Sequence, residues 1–343
     1  MSEIRMMDKP VCSVCIANYN GMRTLAACID SVLKQDCNLP VEIIVHDDAS
    51  SDESVNFICE YYPQVVLIES RENVGFCVAN NRMAARAQGE FLLLLNNDAE
   101  LFPDTLSTLY RAAKYLDKSA IIGLPQYDAA TGELIDRGSR LDPFLNPVPN
   151  LDPRQQEVGM VIGACLWIPR CLWEEIGGFP EWFGSLAEDM YLSCCARLWG
   201  YPVQVLSESG FKHWIGNSFG GGKVVDNRLI TNRKRRALSE RNKNFVMVLC
   251  YPTPWLQLFL PFHIVVLLLE GLVVALVKRE LSLFISIYLA SVTALWKWRT
   301  ELNQQRLNIQ KGHRLERCNF FKIFDWRPYK LRMLLKHGLP TIA

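Results

Sequence analysis

Amide, acidic and cationic side chains follow directly on short apolar runs at four places in this 343-residue chain. The stretch FLLLLNNDAEL places Asn96, Asn97 and Asp98 after a run of leucines, and VEIIVHDD places Asp47 and Asp48 after an aliphatic run. VCSVCIANYN brings Asn18 and Asn20, and VVLIESREN brings Arg71 and Asn73. Amides and carboxylates accept hydrogen bonds from hydroxyl and ring N–H groups, and a carboxylate is also a hard-oxygen ligand for Mg2+ or Mn2+. Elsewhere, Glu188 and Asp189 open the segment AEDMYLSCCARLWGYPV, and His213 stands in FKHWIGNSFG. On residue type alone these two acids read as a helix-start complement to the backbone dipole, and the histidine as structural.

The elements around these residues must bring them together. Runs of about five apolar residues closed by turn formers are what strands buried on both faces look like. Such strands are expected over 11–17, 41–45, 65–69 and 91–95, with helices over 24–34, 54–62 and 76–87 between them. This alternation predicts a parallel sheet with right-handed crossovers. The four polar ends then converge on the carboxyl edge, where open α/β sheets bind ligands, and they outline a nucleotide-sized crevice. Neither GxGxxG nor a complete P-loop accompanies them: Gly222-Lys223 precedes Val224, and Asn217 stands where the first P-loop glycine is needed. A diphosphate in the crevice therefore needs another partner, most simply a divalent cation on Asp98. Further on, the sequence predicts a helix over 104–116, a strand over 121–124, a long loop over the site at 125–157, a β-like run over 158–168 and a short helix over 170–176. A last helix begins at Glu188 and carries Tyr191, Leu192, Cys195 and Leu198 on one face.

The net charge of +1 conceals a division: residues 1–225 carry 17 Lys and Arg against 29 Asp and Glu, net −12, and residues 226–343 carry 20 against 7, net +13. The two parts are expected to meet different partners. The apolar segment 254–277 is interrupted only by Gln257, His263 and Glu270, and a shorter one, 281–296, follows the link Lys278-Arg279-Glu280. The first is long enough to cross a bilayer, and the Lys- and Arg-rich flanks predict that both ends of the hairpin face the cytoplasm. Two crossings and an interfacial or re-entrant hairpin both suit these lengths; a packing or dimerisation element is the soluble alternative. Two domains are thus expected, an α/β unit over 1–245 and a membrane-associated helical hairpin with a basic tail over 246–343. The basic surface suits anionic membrane lipid, and no nucleic-acid partner is expected. The 12 cysteines lie mostly in apolar segments and MSEIRMMDKP lacks the apolar core of a secretory signal, so reduced cytosolic thiols are expected. Cys12 and Cys15 form a CxxC inside a strand, where an i, i+3 pair points to opposite faces and packs in the core.

The stretches VCSVCIANYNG, VEIIVHDDASSDES, ENVGFCVANN, FLLLLNNDAEL, GACLWIPRCLWEEIGGFPEWF, AEDMYLSCCARLWGYPV and HWIGNSFG come in one familiar order over about residues 10–245. In them the chain resembles the inverting family-two glycosyltransferases of GT-A fold, and among these the rhamnosyltransferase-like branch that works on lipid-linked glycans. The resemblance implies a nucleotide-diphosphate sugar as donor and one sugar, rhamnose or another hexose, moved to a lipid-linked or cell-surface glycan at the cytoplasmic membrane face. It implies Asp47 and Asp48 on base and ribose, with Asn18, Asn20, Arg71 and Asn73 beside them. Asp98 matches the metal-binding aspartate of the family's DxD motif, whose first position is Asn96 here, so one carboxylate carries most of the affinity for a weakly held Mg2+ or Mn2+. His213 falls near the metal and diphosphate, and Trp214 with the 216–223 loop closes over the donor. Asp189 corresponds to the general base, supported by Glu188 and set opposite the leaving group; one base suffices because the metal stabilises the departing diphosphate. The QxxRW signature of processive members is missing, so one sugar per encounter is expected. A polyprenyl-phosphate glycosyltransferase, a catalytically silent scaffold of the glycan machinery and a nucleotidyltransferase are the alternatives, and a homo-oligomer is left open.

Overall fold

The computed structural model describes residues 9–214, 221–225, 228–314 and 319–342. Its first thirteen strands are β1 (Cys12–Asn18), β2 (Val41–Asp47), β3 (Val66–Glu69), β4 (Phe91–Asn96), β5 (Ala99–Leu101), β6 (Ile121–Gly123), β7 (Gln126–Asp128), β8 (Leu134–Asp136), β9 (Ser139–Leu141), β10 (Pro147–Pro149), β11 (Cys165–Pro169), β12 (Val203–Val205) and β13 (Phe211–His213). The helices are α1 (Met22–Leu33), α2 (Ser54–Tyr61), α3 (Phe76–Arg86), α4 (Thr105–Tyr115), α5 (Arg170–Ile176), α6 (Glu188–Leu198), α7 (Arg233–Cys250), α8 (Trp255–Lys278), α9 (Leu281–Lys297), α10 (Arg299–Lys311) and α11 (Tyr329–His337). Seven strands form the main sheet in the order β12-β6-β11-β4-β1-β2-β3. The α/β layering is as expected; the sheet is mixed, because β11 runs antiparallel to both β4 and β6 while the other pairings are parallel.

The leucine run of β4 divides as a strand buried on both faces must: Phe91, Leu93 and Leu95 enter one core, Leu92 and Leu94 the other. Cys12 and Cys15 separate in the same way, each buried in a different core. In α1, the buried residues Leu25, Cys28, Ile29 and Val32 recur at the spacing of one helical face and cover the sheet.

Two expected elements come out differently. The 158–168 run joins the sheet only from Cys165, because Gly159 and Gly163 make close approaches that no side chain would allow or that the backbone N–H serves: a Cβ at Gly159 would lie 2.8 Å from Leu141 Cγ, and Gly163 N–H donates to Asp189. The 125–157 segment is no open loop over the site. It contains β7 to β10, and fully buried Asp142 organises it, accepting from the backbone of Phe144, Asn146 and Tyr329. Lys243 Nζ donates to Asn146 Oδ1 at 2.8 Å and Tyr251 OH to Pro143 O at 2.9 Å, which ties the segment to the C-terminal helices.

Residue 245, where hydropathy changes, lies inside α7. Phe245, Val246 and Cys250 pack in the same core as Leu192 and Cys195 of α6 and as Leu302, Ile309 and Phe320 further along the chain. Helix α8 runs antiparallel to α7, since Asn244 meets His263 while Arg236 meets Glu270.

Candidate active site

The polar ends of three adjacent strands are stapled to one another. Asn97 Nδ2 donates to Asn18 Oδ1 and Asn18 Nδ2 to Asp47 Oδ1, both at 2.8 Å. Asp47 also accepts from Ser50 Oγ at 2.7 Å and Ser50 N at 2.9 Å. Asp48 accepts from Val74 N at 2.7 Å and Gly75 N at 2.9 Å, which shapes the turn before α3. Asn20 Oδ1 accepts from Ser51 N at 2.8 Å. Gly21, which sequence reasoning passed over, is a condition of this arrangement: a Cβ there would lie 2.1 Å from Asn97 Nδ2 and 2.2 Å from Asn18 Oδ1. Its position directly after NYN was the available signal. Arg71 and Asn73 are exposed beside this edge and make no side-chain hydrogen bond among the described residues, so both are available to a ligand.

Asp98, 3% exposed, sits between β4 and β5. A second sheet, in the order β5-β13-β7-β8, brings His213 opposite Ala99 and its Nε2 to 3.1 Å from Asp98 Oδ1. Gln126 Nε2 lies 2.9 Å from His213 Nδ1, and Asn96 Nδ2 lies 3.4 Å from Nε2. Gln126 therefore sets the tautomer. With its amide nitrogen toward Nδ1, the imidazole proton is on Nε2 and points at Asp98; with the amide turned over, Nδ1–H donates to Gln126 and Nε2 offers its lone pair. Asn96 Oδ1 is buried without a partner. Among the described residues, no three His, Cys, Asp or Glu side chains converge as metal ligands. Trp214 is partly exposed and its backbone N–H donates to the backbone Asp98 O at 3.0 Å. Of the loop expected to close over the donor, 216–220 lies outside the described residues, and Gly221–Val225 is a strand.

Asp189 is joined to this edge through two backbone steps. Its Oδ2 accepts from Gly163 N at 3.1 Å, and the neighbouring Ala164 O accepts from Asn96 N at 3.1 Å. Its Oδ1 accepts from Met190 N at 2.7 Å. Glu188 is buried beside it, with Oε2 unpartnered. Burial, and then the charge of Asp189, pushes the Glu188 pKa up to about 8. Burial also raises Asp189, but the two backbone N–H groups oppose that rise, so Asp189 is the member of the pair that carries the negative charge. Arg235 of α7 contributes a positive field at both.

The residues just before the pair are held in a costly conformation. Leu186 (φ 72) and Ala187 (φ 64) are both left-handed, on the order of 1 kcal/mol or more each for residues with a Cβ. Asn242, fully buried on α7, holds them: its Nδ2 faces Phe183 O at 3.1 Å, Ser185 O at 2.9 Å and Leu186 O at 2.7 Å. Arg241 Nη2 adds a bond to Phe183 O at 2.7 Å. Neither residue was singled out from the sequence, where they belong to a basic run. A separate cavity of about 630 Å³, lined by Lys9, Glu90, Lys114 and Arg170, lies at the amino ends of the strands, away from all these groups.

Residues 13–177 match the family model described as Glycosyl transferase family 2. Among curated proteins, the chain is 26% identical over 184 residues to N-acetylglucosaminyl-diphospho-decaprenol L-rhamnosyltransferase of Mycobacterium tuberculosis, covering 45% of this chain and 60% of that protein. It is 25% identical over 185 residues to the O-antigen chain rhamnosyltransferase WbaN of Salmonella anatum, covering 51% of this chain and 57% of that one. The chain thus spans a little over half the length of these relatives. Among solved structures, S. aureus TarS in complex with UDP superposes with a TM-score of 0.53 at 17% identity, over 88% of this chain and 89% of that one. The mannosyltransferase PcManGT from Pyrobaculum calidifontis, in complex with GDP-Man and Mn2+, gives 0.53 at 18% identity, over 89% and 86%. These likenesses show a GT-A-like fold.

Proposed function

We propose that this chain, whose residues 13–177 match the glycosyltransferase family 2 model, moves one sugar from a nucleoside-diphosphate donor to a lipid-linked glycan acceptor with inversion at the anomeric carbon. The observation that carries this reading is the placement of two chemically different groups on one sheet edge: the anionic Asp189 on one side, and Asp98 with His213 and Asn96 on the other. Asp189 accepts the acceptor hydroxyl proton while that oxygen bonds to the anomeric carbon, and the nucleoside diphosphate departs on the far side. Glu188, held protonated, keeps the second carboxyl from competing for that proton. Arg71 and Asn73 face the nucleotide, next to the clamp that Asp47, Asp48, Asn18 and Asn20 build.

The donor set around Asp98 fits a divalent cation. A carboxylate, an imidazole nitrogen and the unpartnered amide oxygen of Asn96 are oxygen and nitrogen ligands of the kind Mn2+ and Mg2+ accept, and few protein ligands suit an ion whose other positions go to phosphate and water. Such an ion would neutralise charge on the departing diphosphate. Rhamnose is the sugar favoured by the relatives' names, and their lipid-linked or O-antigen acceptors favour work at the cytoplasmic face of a membrane. In this reading residues 1–245 carry the chemistry and 246–343 attach it to lipid.

The test is a panel of nucleotide sugars offered to the purified full-length chain with Mn2+, read by donor binding and by transfer to a lipid-linked glycan. We expect one donor to bind and transfer, and Asp98→Ala to abolish its metal-dependent binding. Binding of none defeats the reading, and transfer to polyprenyl phosphate alone replaces the glycan acceptor by that lipid.

A further inference from the structure

We infer that the α8–α9 hairpin lies flat in a single leaflet of an anionic membrane and does not span it. This rests on the membrane reading above and decides between the two arrangements that its length permits. Helix α8 has 24 residues, long enough at about 1.5 Å per residue to cross the hydrocarbon of a bilayer. The polar residues in its middle, however, face the protein, while Gln257 in its first turn and Lys278 at its end are exposed. His263 Nε2 lies 2.9 Å from Asn244 Oδ1, and Glu270 pairs with Arg236 of α7 and, at 2.9 Å, with Lys330 of α11. Just beyond its end, Glu280 pairs with Arg233. These contacts lash α8 to α7 along most of its length.

Helix α7 cannot follow α8 into a bilayer. Its other face is part of the domain core, with Cys250 Sγ 3.7 Å from Cys195 Sγ and Arg241 and Asn242 holding the loop before Asp189. A spanning α8 would carry Arg236, Glu240, Lys243 and the flank of the sheet domain into hydrocarbon, where polar side chains and open backbone find no partners.

The outer face of α8 is of the opposite character. Leu258, Phe262, Val265, Leu269, Leu272 and Leu276 recur at intervals of 3 and 4 residues and are all exposed, Leu276 to 68%. The packing of α8 on α9 is tight, since a Cβ at Gly271 would lie 2.4 Å from Tyr288, and α9 extends the apolar surface with Ile285 and Trp296, the latter 73% exposed. Exposed Lys278 and Arg279 stand at one end of this surface and Lys297 and Arg299 at the other. An apolar stripe with cationic ends is what lies along a headgroup boundary. The +13 carried by residues 226–343 opposes a second copy and favours anionic headgroups.

Two measurements on the full-length chain test this. Flotation with phosphatidylglycerol-containing vesicles should recover the protein, phosphatidylcholine vesicles should recover less, and the double variant Leu269→Asp, Leu276→Asp should lose at least tenfold in binding with an unchanged circular dichroism spectrum. In inverted membrane vesicles from expressing cells, the thiol of Arg279→Cys, read by peptide mapping, should react with a membrane-impermeant maleimide as fast as it does in detergent. Protection of that thiol until detergent is added means a span and overturns the inference. Absence from both vesicle types, with a dimer by light scattering, assigns the face to a second copy and also overturns it. Donor binding measured on the same samples separates that failure from failure of the glycosyltransferase reading.

Discussion

Two acidic pairs flank the polar edge of the sheet and are built in opposite ways. Every carboxylate oxygen of Asp47 and Asp48 has a donor from the protein: Asn18 and Ser50 for the first residue, the backbone of Val74 and Gly75 for the second. Among the described residues Glu188 has an oxygen with none, and Asp189 has two backbone N–H groups and the charge of Arg235 against the cost of its burial. Backbone strain does not separate the pairs, since Ala49 (φ 60) adjoins one and Ala187 (φ 64) the other. What differs is how completely the charge is answered. A carboxylate surrounded by donors holds loops in place; one left under-served by the protein is in a state that an incoming hydroxyl can satisfy.

The comparison is most exposed at Asp189. Asp189→Asn keeps the shape and the Gly163 contact site but removes the base, so transfer should fall by roughly 10² to 10⁴ while donor affinity stays put. Steady-state kinetics beside calorimetric donor binding read the two separately, and near-normal turnover would return the pair to the role of a helix-start complement. Asp47→Ala should do the reverse. It leaves the buried amide of Asn18 and the hydroxyl of Ser50 without their acceptor, at a cost of about 1–3 kcal/mol in unfolding free energy from urea titration. An unchanged midpoint with weakened donor binding would instead make Asp47 a ligand contact, and the contrast between the pairs would dissolve.

These pairs also show what the sequence could carry. The strands of the first hundred residues and their polar ends were legible, because a leucine run such as 91–95 has only one way to be buried on both faces and its amides have to emerge at an edge. Partners distant in sequence were not. Gln126 meets His213 across 87 residues and Asn242 meets Leu186 across 56, and nothing in local periodicity announces either contact. The 125–157 segment misled for the same reason: its Pro, Asp and Gly residues read as loop, while the groups that fix it, Lys243, Tyr251 and Tyr329, come about a hundred or more residues later. In α8 the apolar length was plain, but the pairing of Glu270 with Arg236 and Lys330, on which the choice between a span and a surface helix rests, belongs to the tertiary fold.

The last expected effect is a slope with pH, and it isolates the buried carboxyl beside Asp189. Glu188 holds its proton up to about pH 8 in the folded chain, whereas in the unfolded chain it ionises near the ordinary glutamate value of about 4.3. Between those values the native state binds more protons than the unfolded one, so stability must fall as pH rises; the contribution is complete below the unfolded value and lost as pH passes the folded one. Burial shifts Asp189 in the same direction, which adds to the slope at its acid end. Glu188→Gln keeps the size of the side chain and removes the titration. Its unfolding free energy should therefore gain on that of the native sequence as pH rises from about 5 to 8, by at most about 1.4 kcal/mol per unit. Urea midpoints at three pH values across that window suffice. If native and variant lose stability in parallel, Glu188 is already ionised in the folded chain, the unpartnered oxygen is answered by a group outside the described residues, and the two acidic pairs are alike after all.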